Sequence, residues 1–503
     1  MEHPGSGSKA LDFEAQNEPA LKAPARSESE EYAKSSPPPS GTGKTYDPKV
    51  LRAERFWLLF AARGLLYTEG LRQKLVRPNK LHATAKCRYI TRGSDVGIYM
   101  SKEHGSAFLG DLVTCGSVWS CPVCSALIQE RRRIEIEQAV NWAYKQGLQP
   151  VMVTITSPHR SWQTMQELLV KQAEGLGMLR KGASYDRFKE SIGYQGMIRA
   201  LETKYGDNGW HNHTHEMMFV SKNAIADSSS EEALLMEAKV RGCSVDELRG
   251  RPDIKSEILK RWEVACRKVG LLDESKIAAF RKHAIDVKGW CSASDYLAKQ
   301  DDARHWGIDR ELAKANNKTG SRGGRSGLHP FGLLANAAEG DEQAGYRFVE
   351  YSLAIRGKAQ IFWSRGLKAK VGVVEKTDKE AGDEAQDKAD CLGLMNGADW
   401  HIVRSIKGAH PGLLVAAETG GWAGVRAYID SLRPGYAHRM AYREVEAEAK
   451  LAAEAEAVKN GLEKPRKPIQ VNLRRGNRGP ARIDERDSAK SVKFTTEDLD
   501  LGF

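Results

Sequence analysis

Apolar positions recur every three to four residues over 49–75, through VLRAERFWLLFAARGLL, and predict a helix. A charged helix follows at SALIQERRRIEIEQAVNWAYKQG, closing at Gly147. The run VMVTIT at 151–156, ended by Ser157-Pro158-His159, reads as a buried strand. A helix is expected over 162–180 and two strands around a turn over 197–221. Helical periodicity returns over 244–269, a short strand fits 284–287, and a helix fits 292–304. Another helix covers 340–355 and a last strand 359–363. Residues 400–432 suggest a small helical pair, and REVEAEAKLAAEAEAVKNG a solvent-facing helix beyond it. Strands and helices mix without a βαβ rhythm. The fold class is therefore α+β, with a central, largely antiparallel sheet flanked by helices.

The polar stretches divide the chain. Residues 1–48, ending SSPPPSGTGKTYDP, read as a disordered arm. Residues 49–125 hold the first helix and a cysteine-rich segment, and 126–372 the main domain. A charged linker (373–395), a helical C-terminal region (396–463) and a basic disordered tail (464–503) complete the division. Lysine and arginine number 77 against 66 acidic residues, a formal +11 that permits a polyanionic partner without naming one. No apolar run reaches the roughly 18 residues of a membrane helix, so no membrane association is expected. The N-terminus lacks the apolar core of a secretory signal. Eight cysteines are too few for a disulfide scaffold in so long a chain, and the expected compartment is the reducing cytoplasm. Gly43-Lys44-Thr45 imitates the end of a phosphate-binding loop, but Pro38 stands where that loop needs glycine and no strand precedes it.

The densest chemistry lies in LETKYGDNGWHNHTHEMMF, residues 201–219. His211, His213 and His215 alternate, so a strand turns all three rings to one face. Asn208-Gly209 is a strong hairpin signal. With those two as the loop, Asp207 pairs with Trp210, Lys204 with His213, and Glu202 with His215. Glu202 then joins the histidines, and two imidazoles with a carboxylate leave positions open on a bound metal. Trp290–Lys299 reads as a helix start capped by Ser292, with Tyr296 in the first turn, where free amides favour a phosphate. Lys299 shares its face. Cys115, Cys121 and Cys124, with Cys87 upstream, supply four thiolates, enough for a closed structural Zn²⁺ site. His104 is an alternative fourth donor, and buried free thiols are the plainer reading. Cys243, Cys266, Cys291 and Cys391 lack metal spacing. Candidate DNA-backbone contacts are Arg131, Arg132 and Arg133, the Gly-rich loop with Lys318, Arg322 and Arg325, and Lys358 and Lys368 flanking Phe362-Trp363.

VMVTITSPH, GWHNHTHEMMF and DYLAKQ, in this order, resemble the three motifs of plasmid rolling-circle replication initiators, a branch of the histidine–hydrophobic–histidine (HUH) endonuclease superfamily. CGSVWSCPVCSALIQERRR and KAQIFWSRGLK resemble flanking segments of actinobacterial-type members. The likeness covers residues 80–370, about 60% of the chain. It implies that 126–372 is the endonuclease domain and that origin DNA is recognised as duplex and cut as a single strand. By this resemblance His213 and His215 hold Mg²⁺ or Mn²⁺, with Glu202 as third ligand and His211 as accessory. Tyr296 is the nucleophile, leaving a 5′-phosphotyrosine and a 3′-OH primer, and Lys299 orients the phosphate or the metal site. The implied enzyme is an ATP-independent nickase and strand transferase, plasmid-encoded in bacteria and served by a host helicase and polymerase. Thr214 stands at the family's bulky hydrophobic position and Asn212 where proline is usual. Gln300 replaces the second tyrosine of two-tyrosine members, implying a single-tyrosine enzyme. Ser292 occupies the place of a terminating carboxylate. Relaxases and single-strand transposases share this chemistry, although relaxases usually place the tyrosine ahead of the histidines. A non-catalytic DNA-binding protein of zinc-knuckle type is the rival from another class.

Overall fold

The computed structural model describes residues 47–75, 80–291, 327–374 and 389–459. Tyr296, Lys299, Lys318, Arg322 and Arg325, and the helix expected over 292–304, lie outside the described residues. The described residues from Leu51 onward form one compact unit.

Chain order runs α1 (Pro48–Arg72), α2 (Ala83–Lys86), β1 (Val96–Ser101), β2 (Ala107–Leu109), α3 (Pro122–Lys145) and β3 (Leu148–Thr156). Then come α4 (Met165–Leu179), α5 (Ala183–Ser191), β4 (Gly196–Gly206), β5 (Gly209–Ser221), α6 (Glu231–Arg241) and α7 (Ile254–Lys268). A 3₁₀ turn (Glu274–Lys276) leads to α8 (Ile277–His283), β6 (Ile285–Lys288), α9 (Pro330–Ala338), α10 (Glu342–Ala354), β7 (Ile361–Trp363) and α11 (Leu367–Val371). The last elements are β8 (Ala389–Met395), α12 (Gly397–Ser405) and α13 (Ala409–Lys459).

The main sheet has the order β6-β3-β5-β4-β7, and each neighbouring pair is antiparallel. Period-2 alternation gives it two working faces. One, with Val151, Val153, Ile155, Trp210 and Met218, packs on α4, α7, α9 and α10 in the largest core. The other carries Met152, Ile198, Met217 and Phe219, which α3 covers with Ile136, Ala139, Val140 and Ala143. The histidines continue this second face along β5.

A second, smaller sheet has the order β2-β1-β8 and its own core, in which Val96, Ile98 and Met395 meet Trp400, Leu413 and Ile429. Thus 389–395, the end of the expected linker, is a strand; its partner is β1, far away in sequence, which no local signal marks. The helical pair expected over 400–432 comprises α12 and a hairpin inside α13. That helix reverses at Gly421 (φ 57°), and at Gly412 a Cβ would stand 2.1 Å from the Tyr428 hydroxyl, so only glycine permits the approach. Arg52 ties α1 to this lobe through a two-pronged ion pair with Glu418 at 2.5 and 2.9 Å.

Two other expectations shift. The helix expected over 244–269 starts only at Ile254, because Pro252 disfavours helix in the residue before it and the Asp253 carboxylate caps the Ser256 amide. Helix α6, absent from the sequence reading, is capped by Ser230 and closed by Gly242 in the left-handed region.

Candidate active site

The site begins with the β4–β5 turn. Gly209 has φ 84° while Asn208 does not take a positive φ, so Asp207 and Asn208 form the loop and Gly209 pairs with Gly206. The register expected from an Asn208-Gly209 loop is displaced by two residues. Glu202 lies opposite His213, Lys204 opposite His211, and Ala200 opposite His215. A two-residue shift preserves the face, so Glu202 stays on the histidine side.

On the other flank, Thr156 is opposite His213 and Thr154 opposite His215. Their hydroxyls lie 3.3 and 3.1 Å from the respective Nδ1 atoms, which turns both Nε2 atoms away from β3. His215 Nε2 is 2.7 Å from Glu202 Oε2, and Lys204 Nζ is 3.0 Å from Glu202 Oε1. The rings form a row: His213 and His215 centroids are 6.2 Å apart, His211 and His213 4.1 Å, and His159 and His211 4.4 Å.

The electrostatics leave an ionised carboxylate beside neutral rings. Burial pushes the Glu202 carboxyl upward, but the His215 hydrogen bond and the Lys204 charge outweigh it and hold the group well below the usual carboxylate range. Burial lowers His213 to about 4 and His211 to about 3. A carboxylate beside neutral imidazoles is a donor set for a divalent ion. His215 Nε2 faces Glu202 and its Nδ1 faces the Thr154 hydroxyl, which can donate or accept. The ring can therefore surrender Nε2 to an ion without losing its Nδ1 partner.

The opposite face of β5 explains the unusual residues between the histidines. Asn212 and Thr214 are buried, and Thr203 Oγ1 donates to Asn212 Oδ1 across the strands at 2.9 Å. Glu216, also buried there, pairs with Arg180 at the end of α4. Two residues missed by the sequence reading belong near the site. His159 extends the ring row from the loop after β3. Asp286 on β6 is opposite Thr154 and therefore shares the histidine face, a position that the alternation of a four-residue strand was too short to announce.

Cys87, Cys115, Cys121 and Cys124 come together, their sulfurs all within 4.8 Å of one another. Among the described residues no other His, Cys or acidic group gathers its ligand atoms so closely. The sulfurs of Cys87 and Cys124 are 3.6 Å apart, and those of Cys115 and Cys124 and of Cys87 and Cys121 3.7 Å. Four sulfurs bound tetrahedrally at about 2.3 Å from one ion would stand about 3.8 Å apart. The cluster therefore can hold a metal ion. Its local frame is a knuckle: Cys121 is the N-cap of α3, its sulfur accepting the Cys124 amide, and Cys115 accepts the Ser117 amide. The Cys124 thiol is held far below the ordinary range by its three sulfur neighbours, whereas burial raises Cys121. His104 is not part of it; its side chain is exposed and faces Glu103.

Of the candidate DNA contacts, Arg132 binds Gln360 at 2.5 Å, Arg133 pairs with Glu137, and Lys368 lies 3.9 Å from Glu135, so these three serve contacts within the fold. Arg131 is half-buried, Lys358 is exposed, and Phe362 is exposed on β7 with Arg199 stacked over it. No helix among the described residues is long and apolar enough to cross a membrane.

No family model matches the chain, and no solved structure does. It is 30% identical over 152 residues to a neomycin resistance protein of Streptomyces cyanogenus, covering 25% of this chain and 35% of that one. Over 339 residues, 59% of this chain and 70% of the relative, it is 27% identical to the protein named Protein rep of Streptomyces lividans.

Proposed function

We propose that this protein is a plasmid replication initiator that nicks single-stranded origin DNA through a tyrosine and reseals it by strand transfer. The observation that carries the reading is the β4–β5 register, which sets Glu202, His213 and His215 on one face with threonines behind the rings. The similarity to Protein rep supports the replication role.

A divalent ion, Mg²⁺ or Mn²⁺, would supply charge that draws electrons from the scissile phosphate. His213, His215 and Glu202 would hold it, His211 would extend the row, and Asp286 is a further carboxylate on the same face. The Tyr296 oxygen attacks phosphorus, the P–O3′ bond breaks, and the 3′ oxygen leaves as a hydroxyl once it gains a proton. The phenol loses its own proton in the same exchange, which a nearby cation favours, and Lys299 orients the phosphate or the metal site. The phosphotyrosine keeps the energy of the broken diester, so resealing needs no ATP. The four cysteines would bind Zn²⁺ as a closed structural site. Duplex origin DNA, a host helicase and a host polymerase are the proposed partners, and the proposed location is the bacterial cytoplasm.

The test uses labelled single-stranded oligonucleotides spanning the origin, with Mn²⁺ or Mg²⁺. A denaturation-resistant adduct on the 5′ side of the break, absent from Tyr296→Phe, is the expected result. Cutting without an adduct, unchanged in that variant, would replace this reading with metal-dependent hydrolysis.

A further inference from the structure

The ring row does not stop at His211. His159 carries it into the loop between β3 and α4, where a cavity of about 430 Å³ is walled by His159, Arg160, Ser161, Trp162, Asn208 and Lys276. This volume lies in the range of small-molecule sites. Three separate elements build it: the 159–162 loop, the β4–β5 turn and the 3₁₀ turn before α8. The loop is fixed. Gln163 accepts the Arg160 amide at 2.8 Å and donates its own amide to the Arg160 carbonyl at 3.1 Å, and Arg160 pairs with Asp273. The turn is pressed against it so closely that a Cβ on Gly209 would stand 3.0 Å from Ser161 Cα.

On this rigid support Trp162 is 69% exposed. A lone exposed aromatic is ordinary on a protein surface. Here it borders a cavity that also holds the exposed Lys276 and opens beside the row ending at His215 and Glu202. An exposed aromatic with cations along a groove is how single-stranded nucleic acid is held, bases stacking on the ring and phosphates meeting the charge.

We propose that this cavity binds one nucleotide of single-stranded DNA next to the cut site, its base on Trp162 and its phosphate at Lys276. The proposal rests on the nicking reading, because the row links the cavity to the face where the phosphate would react. Asn208 stands at the rim, where its amide can hydrogen-bond a base edge.

The test measures anisotropy of a mixed-sequence single-stranded 20-mer and of the matching duplex, with the full chain and with no Mg²⁺ or Mn²⁺ added, so that nothing is cut, and with no chelator, so that the cysteine site keeps its metal. Trp162→Ala is expected to weaken single-strand binding about tenfold or more, to change duplex binding less than twofold, and to keep the thermal midpoint. Trp162→Phe restores most of the affinity. Lys276→Gln lowers the slope of log affinity against log salt by about 0.7. Unchanged single-strand affinity in Trp162→Ala, equal loss on both DNAs, or a self-association that the substitution abolishes would each overturn the proposal. Adduct formation by wild type is read separately. If the adduct forms while Trp162→Ala binds normally, the pocket alone fails. If the pocket effects hold and no adduct forms, the pocket stands as a single-strand site and the nicking reading falls.

Discussion

The cysteine cluster and the histidine face both gather side chains of types that can ligate a metal, and they are assembled in opposite ways. The four sulfurs lie within 4.8 Å of one another, are mostly buried, and come from a short helix, a loop and a helix cap. The histidines and Glu202 are spread along two strands, with His215 Nε2 already on Glu202 at 2.7 Å. Four buried sulfurs packed this closely could hold an ion that ties the chain together, with no room for another ligand. A carboxylate and imidazoles on a sheet face leave room for a ligand that comes and goes. Tight spacing in sequence brings Cys115, Cys121 and Cys124 together and the end of α2 adds Cys87, whereas strand register builds the histidine face. The two should fail differently.

The largest effect belongs to the closed site. Cys121→Ser is expected to release bound Zn²⁺ and to lower the thermal midpoint by 10 °C or more, an order-of-magnitude figure since metal ligation is folding energy. Elemental analysis beside a melting curve checks it. A variant that keeps both its zinc and its melting point would reduce the cluster to four buried thiols.

Next comes the open site. His215→Ala should cut the nicking rate by about a thousandfold while the melting curve and duplex binding change little. A loss of folding on the scale of Cys121→Ser would erase the contrast between the two regions. Thr154→Val tests the support behind the ring. It removes the hydroxyl at 3.1 Å from His215 Nδ1 and should raise the Mn²⁺ concentration needed for half-maximal nicking about tenfold.

The smallest effect separates both sites from the rest of the fold. His410 is buried in the small lobe against Phe56 and Trp400, and burial lowers it to about 3. The folded state keeps this ring neutral, while the unfolded chain takes up a proton near its ordinary value of 6.5. Its contribution is therefore complete above pH 6.5 and is lost as pH falls towards 3. Between pH 6.5 and 5.5 the loss is about 1 kcal/mol. Denaturant titrations of wild type and His410→Phe should differ in slope against pH over that window, and parallel curves would sink the assignment.

The histidine face was legible because alternation needs no knowledge of the partner strand. The register was legible only in parity. Reading Asn208 and Gly209 together as the loop placed Glu202 opposite His215, whereas Gly209 alone takes the left-handed conformation and the pairing moves by two. Cys115, Cys121 and Cys124 were readable from spacing; that Cys87 closes the set follows from its place at the end of α2. The sequence hid what depends on distant partners. β8 pairs with β1, and nothing within ADCLGLM announces it. His159 and Asp286 join the site only through the packing of a loop and the pairing of a very short strand. Proline and capping rules would have moved the start of α7 to Ile254, had they been given more weight than periodicity.

The small sheet has a consequence for how the protein is made. β1 and β2 leave the ribosome early, but β8 follows after nearly three hundred further residues. Every strand of the main sheet lies between these points, from Leu148 to Trp363. During synthesis the histidine-bearing sheet can therefore close while β1 still has an open edge. Translation that stops after residue 372 would leave that edge, Val96 to Ser101, bare and ready to pair with another nascent chain.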